Sequence, residues 1–314
     1  VYTNTPPTGP YRGFGVPQVC WAYESQMDDI ARRLGIDPLE LRLKNLVREG
    51  DPFVTGHNLV SVGISDCAKR AAEALGWQRD AEQAPRALSG KVRGKGMAVM
   101  IKTTMTPSNS SALVRLNADG SAVLLTSSVE IGQGTLTSLA QIVAEELGLP
   151  VERVSVTFPD TDVTPFDQST SSSRTVFSMG GAARQAAHQI RQQLLEVGGR
   201  VLEANIEDLQ LVDGFLEVKG VPDKRRSIAQ LFQARYGAAV GNMVGSFDNQ
   251  TAGGLDPITG KGKGSVFYFL SACAGEVEVD TYTGKVTVQQ VVSAVDAGKA
   301  INPRQCHMQN EGSM

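Results

Sequence analysis

The residues best suited to chemistry in this 314-residue chain sit at breaks where glycines and hydrogen-bond donors crowd together. One is Pro10-Tyr11-Arg12-Gly13-Phe14-Gly15-Val16-Pro17-Gln18, at the start of a helical pattern. Its guanidinium can fork onto a phosphate or a carbonyl, and its rings can stack on a planar ligand. A second is Ser128-Val129-Glu130-Ile131-Gly132-Gln133-Gly134, where a strand pattern stops and a helical one starts. Backbone N–H groups there can hold an anion or the edge of a polar heterocycle, helped by the helix dipole. The third, Asp167-Gln168-Ser169-Thr170-Ser171-Ser172-Ser173-Arg174 and on to Gly180-Gly181, offers a run of hydroxyls before another helix. Taken singly, each also reads as an ordinary turn, a solvated serine-rich loop or a plain helix start. Together they suit a polyanionic heterocyclic ligand, which needs several such loops to converge.

Other chemistries find little support. Gly132-Gln133-Gly134 lacks the third glycine of a dinucleotide fingerprint and the Lys-Ser/Thr of a nucleotide P-loop. No Gly-x-Ser-x-Gly elbow occurs, and His57, His188 and His307 stand apart from one another. The acids Asp160, Asp162, Glu276 and Glu278 fall in turn or strand patterns, where solvated faces are the default. Cys20, Cys67, Cys273 and Cys306 are widely spaced, without zinc-ligand spacing, and read as free thiols of a reducing, cytoplasmic setting. A net charge of -3, from 30 basic and 33 acidic residues, provides no field for nucleic acid or an acidic membrane surface. The longest apolar runs, such as 266–270, fall far short of the roughly 18 to 20 residues of a membrane helix. The first ten residues carry no signal-peptide pattern and read like a chain opened upstream.

The elements that must position these breaks follow from periodicity. Tyr23, Met27, Ile30 and Leu34 share one helical face, which Gly35 ends. Asp37-Pro38-Leu39-Glu40 supplies an N-cap, a first-position proline and an acid for the next helix, whose apolar stripe is Leu39, Leu43 and Leu46. Residues 76–95 are polar and suit a connector, placing a boundary near 90. Beyond it, Asp119-Gly120, Asp213-Gly214 and Thr283-Gly284 mark hairpins. Helices are expected over 135–147, 180–204 and 227–236. Hairpins mixed with helices predict an α+β fold with mixed antiparallel sheets and packed helices.

Read in order, YRGFGVPQ (11–18), DPLELRLKNLVREGD (37–51), VEIGQGTLTSLAQIVAEELG (129–148), STSSSRTVFSMGGAAR (169–184) and GEVEVDTYTGKVTVQQVVSAVDAGKAINP (275–303) resemble the molybdenum-binding large subunit of the xanthine dehydrogenase family. The resemblance runs over most of the chain. It implies the fold of that family's molybdopterin-binding domains: residues 1–90 would end the first, and 91–314 would form the second, incomplete at its C-terminus. The cofactor implied is molybdenum on a molybdopterin, in bacteria often the cytosine dinucleotide form, with no protein ligand to the metal. Carried over by position, Arg12, Gly132, Gln133, Ser172 and Ser173 would contact the cofactor, and Phe14 would pack on a planar substrate.

The implied activity is molybdenum-dependent oxidoreduction: hydroxylation, with water, of an aromatic N-heterocycle or an aldehyde. Electrons would leave through iron-sulfur and FAD partner subunits, with the remainder of the large subunit as a further partner; a homo-oligomer is also compatible. Gly13 stands where carbon monoxide dehydrogenases of the family carry a cysteine, which argues against that substrate. Lys102 and Thr103 stand where xanthine-type enzymes place a second aromatic, which argues against a purine. The family's general-base glutamate lies beyond residue 314, so the isolated chain is expected to be inactive. The competing expectation is a non-catalytic fragment or assembly piece of such a complex.

Overall fold

The computed structural model describes residues 3–7, 9, 11–13, 15–77 and 90–314. In chain order come α1 (Val16–Leu34), α2 (Pro38–Asn45), α3 (Ile64–Leu75), β1 (Lys91–Thr103), β2 (Ser108–Asn117) and β3 (Ala122–Leu125). Next are α4 (Thr135–Leu147), β4 (Val154–Val156), α5 (Thr175–Leu202), β5 (Leu209–Val212), β6 (Phe215–Val218), β7 (Val221–Ser227) and α6 (Ile228–Tyr236). The chain continues through β8 (Asn242–Thr251), β9 (Gly254–Leu255), β10 (Gly262–Lys263), β11 (Tyr268–Asp280), β12 (Val286–Asp296) and α7 (Pro303–Glu311). The α+β expectation holds, and the three hairpins turn where the Asp-Gly and Thr-Gly pairs fall.

Two compact units emerge, Val1–Thr104 with Gly253–Met314, and Met105–Ala252. Neither divides at residue 90, because β1 pairs along its whole length with β11, nearly two hundred residues later. Most of the expected connector, residues 78–89, lies outside the described residues.

In the first unit the sheet order is β1-β11-β12. Helix α3 buries Ile64, Cys67, Ala68, Ala71 and Leu75 against Met97, Val99, Leu270, Ala272 and Ala274. Helix α1 covers the open edge of β1 at Val99, whose N–H donates to Glu24 Oε2 at 3.0 Å and whose carbonyl accepts from the Tyr23 hydroxyl at 3.2 Å. Those backbone groups would otherwise form an unpaired sheet edge. Glu24 is buried, and Arg42 of α2 pairs with it, Nε to Oε2 at 2.7 Å, while Nη2 donates to the Glu24 carbonyl at 3.1 Å. This corrects the expected orientation of α1: its limits at Gly35 are as read, but Tyr23, Ile30 and Leu34 are exposed, and Glu24 and Ala31 are its buried residues. An ion pair and an edge strand, not the apolar stripe, decide which way the helix faces. The caps of α2 are as read, with Asp37 Oδ1 accepting from the N–H groups of Leu39 and Glu40 at 2.8 and 3.0 Å.

The second unit carries the sheet β4-β3-β2-β8. Strands β3 and β4 are parallel, as a crossover through α4 requires. Helices α4 and α5 bury Leu139, Val143, Leu147, Ala182, Ala186, Ile190 and Leu194 over Val114, Leu116 and Leu124. Helix α5 begins at Thr175, ahead of the expected 180, so Gly180 and Gly181 sit inside it rather than in its opening loop. A Cβ at Gly180 would lie 2.8 Å from Ile142 Cδ1, and one at Gly245 of β8 only 2.0 Å from the Ala186 carbonyl oxygen. These glycines bring α5 close to α4 and to the sheet. A third sheet, β5-β6-β7, packs with α6 beside them.

Replacing Arg42 with alanine strands a buried carboxylate, and the expected cost is about 3–5 kcal/mol. A fall in the denaturant midpoint without a change in slope would report it.

Candidate functional site

Two of the three breaks meet in the second unit, and a buried charge is what joins them. The Arg174 side chain is 0% exposed and that of Asp167 1%. Arg174 Nη1 donates to Asp167 Oδ1 at 2.7 Å and to the Ser169 carbonyl at 2.6 Å; Nη2 donates to the Asn109 carbonyl at 2.8 Å and to Ser110 Oγ. The Ser110 hydroxyl in turn donates to Asp167 Oδ1 at 2.7 Å. The other Asp167 oxygen accepts from Ser128 Oγ at 2.6 Å, and the Val129 N–H donates to Thr170 Oγ1 at 2.8 Å. The loop before α4 is thereby tied to the loop before α5. Gly132, Gln133, Ser172 and Ser173 all belong to this pair of loops.

The loop before α4 differs from the expectation in what it holds. Its amides close on the chain's own Glu130: Oε1 accepts from Gly132 and Gly134 at 2.8 and 2.9 Å, and Oε2 from Leu136 at 3.2 Å. Burial pushes the Glu130 carboxyl up, but the amides of Gly134, Leu136, Gly132 and Thr135 together pull it below the ordinary value. The Gln133 amide is folded inward as well, accepting from the Ile131 N–H at 2.6 Å and donating to the Val129 carbonyl at 3.0 Å and to Thr135 Oγ1. The Gly132 backbone remains at the tip: a Cβ there would meet nothing within 4 Å.

The loop before α5 is of another kind. Ser172 and Ser173 lie at φ 51° and 55°, consecutive left-handed residues without glycine's freedom, which costs about 1–2 kcal/mol each. The 28-residue α5 has no side-chain cap and no acid in its first turn. Arg174 Nε is buried without a hydrogen-bond partner. Ile131 is 71% exposed; Val129 and Phe166 are exposed on the same loops, and Phe177 in the first turn of α5.

The remaining expected residues belong to the first unit. Arg12 is exposed, its guanidinium donating to the Gly312 carbonyl. Phe14 lies outside the described residues. His57 Nε2 meets the Tyr268 hydroxyl at 3.1 Å, and His188 Nδ1 meets Glu146 Oε1 at 2.8 Å. His188 lines a cavity of about 420 Å³ with Glu146, Arg184, Gln185 and Arg191, at the end of α4 away from the glycine loop. Among the described residues no group of three or more His, Cys, Asp or Glu is arranged to hold a metal ion, and no helix is long and apolar enough to cross a membrane.

Family models described as molybdopterin cofactor-binding domain match residues 1–46 and 70–314. The chain belongs to that family. The xanthine dehydrogenase molybdenum-binding subunit of Escherichia coli O157:H7 is 32% identical to this molybdopterin cofactor-binding chain, covering 100% of the chain and 41% of the relative. The nicotine 6-hydroxylase large subunit of Paenarthrobacter nicotinovorans is 30% identical, covering 96% and 38%. Quinoline 2-oxidoreductase from Pseudomonas putida 86 has the same fold, with a TM-score of 0.85 at 26% identity, over 98% of this chain and 40% of that one. The chain thus spans about two fifths of the relatives it matches.

Sequence reasoning named the backbone tips and hydroxyls but missed Asp167, Arg174 and Glu130. Each lies inside or beside a glycine- or serine-rich helix start, but burial is what forces a charge to find a partner, and burial is not written in the sequence.

Asp167→Ala should leave Arg174 buried without its counter-charge and lower stability by about 3–5 kcal/mol, with faster amide exchange across 128–134. The Glu130 carboxyl titrates below its unfolded value in the fold, so its contribution is present above that value and lost as pH falls through the folded one. Glu130→Gln should therefore flatten part of the acid limb of the stability curve, measured by denaturant unfolding at successive pH values.

Proposed function

We propose that this chain forms cofactor-binding walls of a molybdenum hydroxylase that hydroxylates an aromatic N-heterocycle or an aldehyde. The observation that carries the reading is the pair of loops knitted by Asp167, Ser128 and Thr170 at the starts of α4 and α5. It is supported by the family match and by relatives whose names include xanthine dehydrogenase, nicotine 6-hydroxylase and quinoline 2-oxidoreductase.

The donor set fits a molybdopterin in part. The α4 amides are taken by Glu130 and do not suit a phosphate. The α5 start, with its strained serines, lack of a cap and orphaned Arg174 Nε, suits the anionic part. The open Gly132 backbone suits the close approach of a flat ring. In this reading Ser172 and Ser173 hold the phosphate side, and Gly132 and Gln133 border the pterin, with Gln133 exchanging its loop bonds for ligand bonds. Arg12 brings the positive charge, and Phe14 packs on the substrate ring. When bound, the molybdenum centre supplies the oxidation chemistry; this chain's own residues bind, orient and exclude water.

The same reading makes residues 1–90 the end of one molybdopterin-binding domain and 91–314 the start of the next; two separate family matches, over 1–46 and 70–314, support there being two such domains. It takes the cofactor as the cytosine dinucleotide form, with iron-sulfur and FAD groups on partner chains. The free thiols support a cytoplasmic setting. The general base would come from outside residues 1–314.

Co-production with a molybdopterin source, followed by metal analysis and pterin fluorescence of the purified chain, tests the proposal. Retained molybdopterin is the expected result; no uptake, with or without the rest of the subunit, would leave an assembly piece. Arg12→Ala should weaken retention by about ten- to a hundredfold, the worth of a charged hydrogen bond. Phe14→Ala in the assembled enzyme should raise KM while molybdenum content stays unchanged.

A further inference from the structure

The recess at the end of α4 remote from the glycine loop is polar throughout. It measures about 420 Å³ and is lined by Glu146 of α4 and by Arg184, Gln185, His188 and Arg191 of α5, without one aliphatic side chain. Positions 184, 188 and 191 recur at the spacing that puts side chains on one helical face, so the two guanidinium-bearing residues flank the histidine.

Part of this lining is already engaged. The Gln192 amide nitrogen can only donate, and it meets His188 Nε2 at 3.0 Å; the imidazole proton is therefore on Nδ1, which donates to Glu146 Oε1 at 2.8 Å. Arg191 Nη1 donates to the Glu146 carbonyl at 3.1 Å, one of the last four carbonyls of α4, which the helix itself leaves unpaired. Arg184 is exposed and, among the described residues, has no hydrogen-bond or ion-pair partner. Two guanidinium charges thus face one carboxylate.

Such a lining discriminates between ligands. Guanidinium forks match the oxygens of a phosphoryl group. The carboxylate repels a bare anion but accepts from hydroxyls, and the Gln185 amide both accepts and donates. A flat heterocycle finds no apolar wall to bury against, whereas the volume lies within the range of small-molecule sites. We propose that this cavity binds a sugar phosphate: Arg184 and Arg191 hold the phosphoryl group, and Glu146 and Gln185 hold the hydroxyls. The site lies wholly within the second unit and does not depend on the function proposed above.

The test is an NMR titration of the full chain with glucose 6-phosphate, following the arginine Nε–H groups and the backbone amides of 146 and 184–191. These signals should shift saturably. Inorganic phosphate and O-phosphoserine, which lack the sugar hydroxyls, should bind about tenfold more weakly, and glucose should leave the signals unmoved. Arg184→Gln breaks no contact of the fold and should weaken glucose 6-phosphate about tenfold. Glu146→Gln keeps an acceptor for His188 but drops the charge, so inorganic phosphate should bind more tightly and the preference for the sugar ester should narrow. A folded wild type without a saturable shift overturns the proposal, as does an Arg184→Gln that binds like the wild type. Inorganic phosphate or O-phosphoserine binding as tightly as glucose 6-phosphate overturns it too, because the hydroxyls would then count for nothing. None of these readouts involves molybdopterin, so the cofactor reading stands or falls apart from them.

Discussion

A guanidinium withdrawn from water must be surrounded by acceptors, and the second unit is organised around one. The acceptors of Arg174 come from β2 (Asn109 and Ser110), from the loop before α5 (Ser169) and from Asp167. No two of these groups can shift without stranding the charge, so β2 and the start of α5 are fixed together. Through the second Asp167 oxygen and Ser128 the constraint reaches the loop before α4. The left-handed Ser172 and Ser173 persist because the residues on both sides of them are held by this network. Desolvating the pair is costly, and its return is a definite arrangement of two loops rather than added stability.

The same device organises the first unit at smaller scale. Glu24 is buried on α1, satisfied by Arg42 and by the Val99 N–H, and so joins α1, α2 and the open edge of β1. In both units a carboxylate accepts from an arginine and from groups of distant segments. Electrostatics sets the placement of elements, and hydrophobic burial by α3, α4 and α5 supplies the bulk of the cohesion. The starts of α4 and α5 then differ in a way that matters for function. One is neutralised by Glu130, and the other has neither a side-chain cap nor an acid in its first turn.

Much of the fold was legible in the sequence because its signals are local. Turn chemistry at Asp119-Gly120, Asp213-Gly214 and Thr283-Gly284 depends on adjacent residues, as do the Asp37 cap and the stop at Gly35. The family resemblance was legible too, since ordered motifs survive as strings. The facing of α1 was not, because an apolar stripe shows which residues could be buried and not which partner is at hand. Gly180 and Gly181 were read as loop glycines, yet a helix takes glycine wherever a neighbour must come close, and Ile142 is such a neighbour.

The sequence by itself determined the α+β class, most helices and hairpins, the glycine- and serine-rich loops and the family to which the chain belongs. These rest on periodicity, turn preferences and motif order, all written along the chain. Only the tertiary structure decided that Asp167 and Arg174 bind the two loops into one, that α4's amides already hold Glu130, and that residues 253–314 complete the sheet begun by β1. Buried charges and strand partners are satisfied through space, and neither distance nor direction between remote residues is recorded in their order.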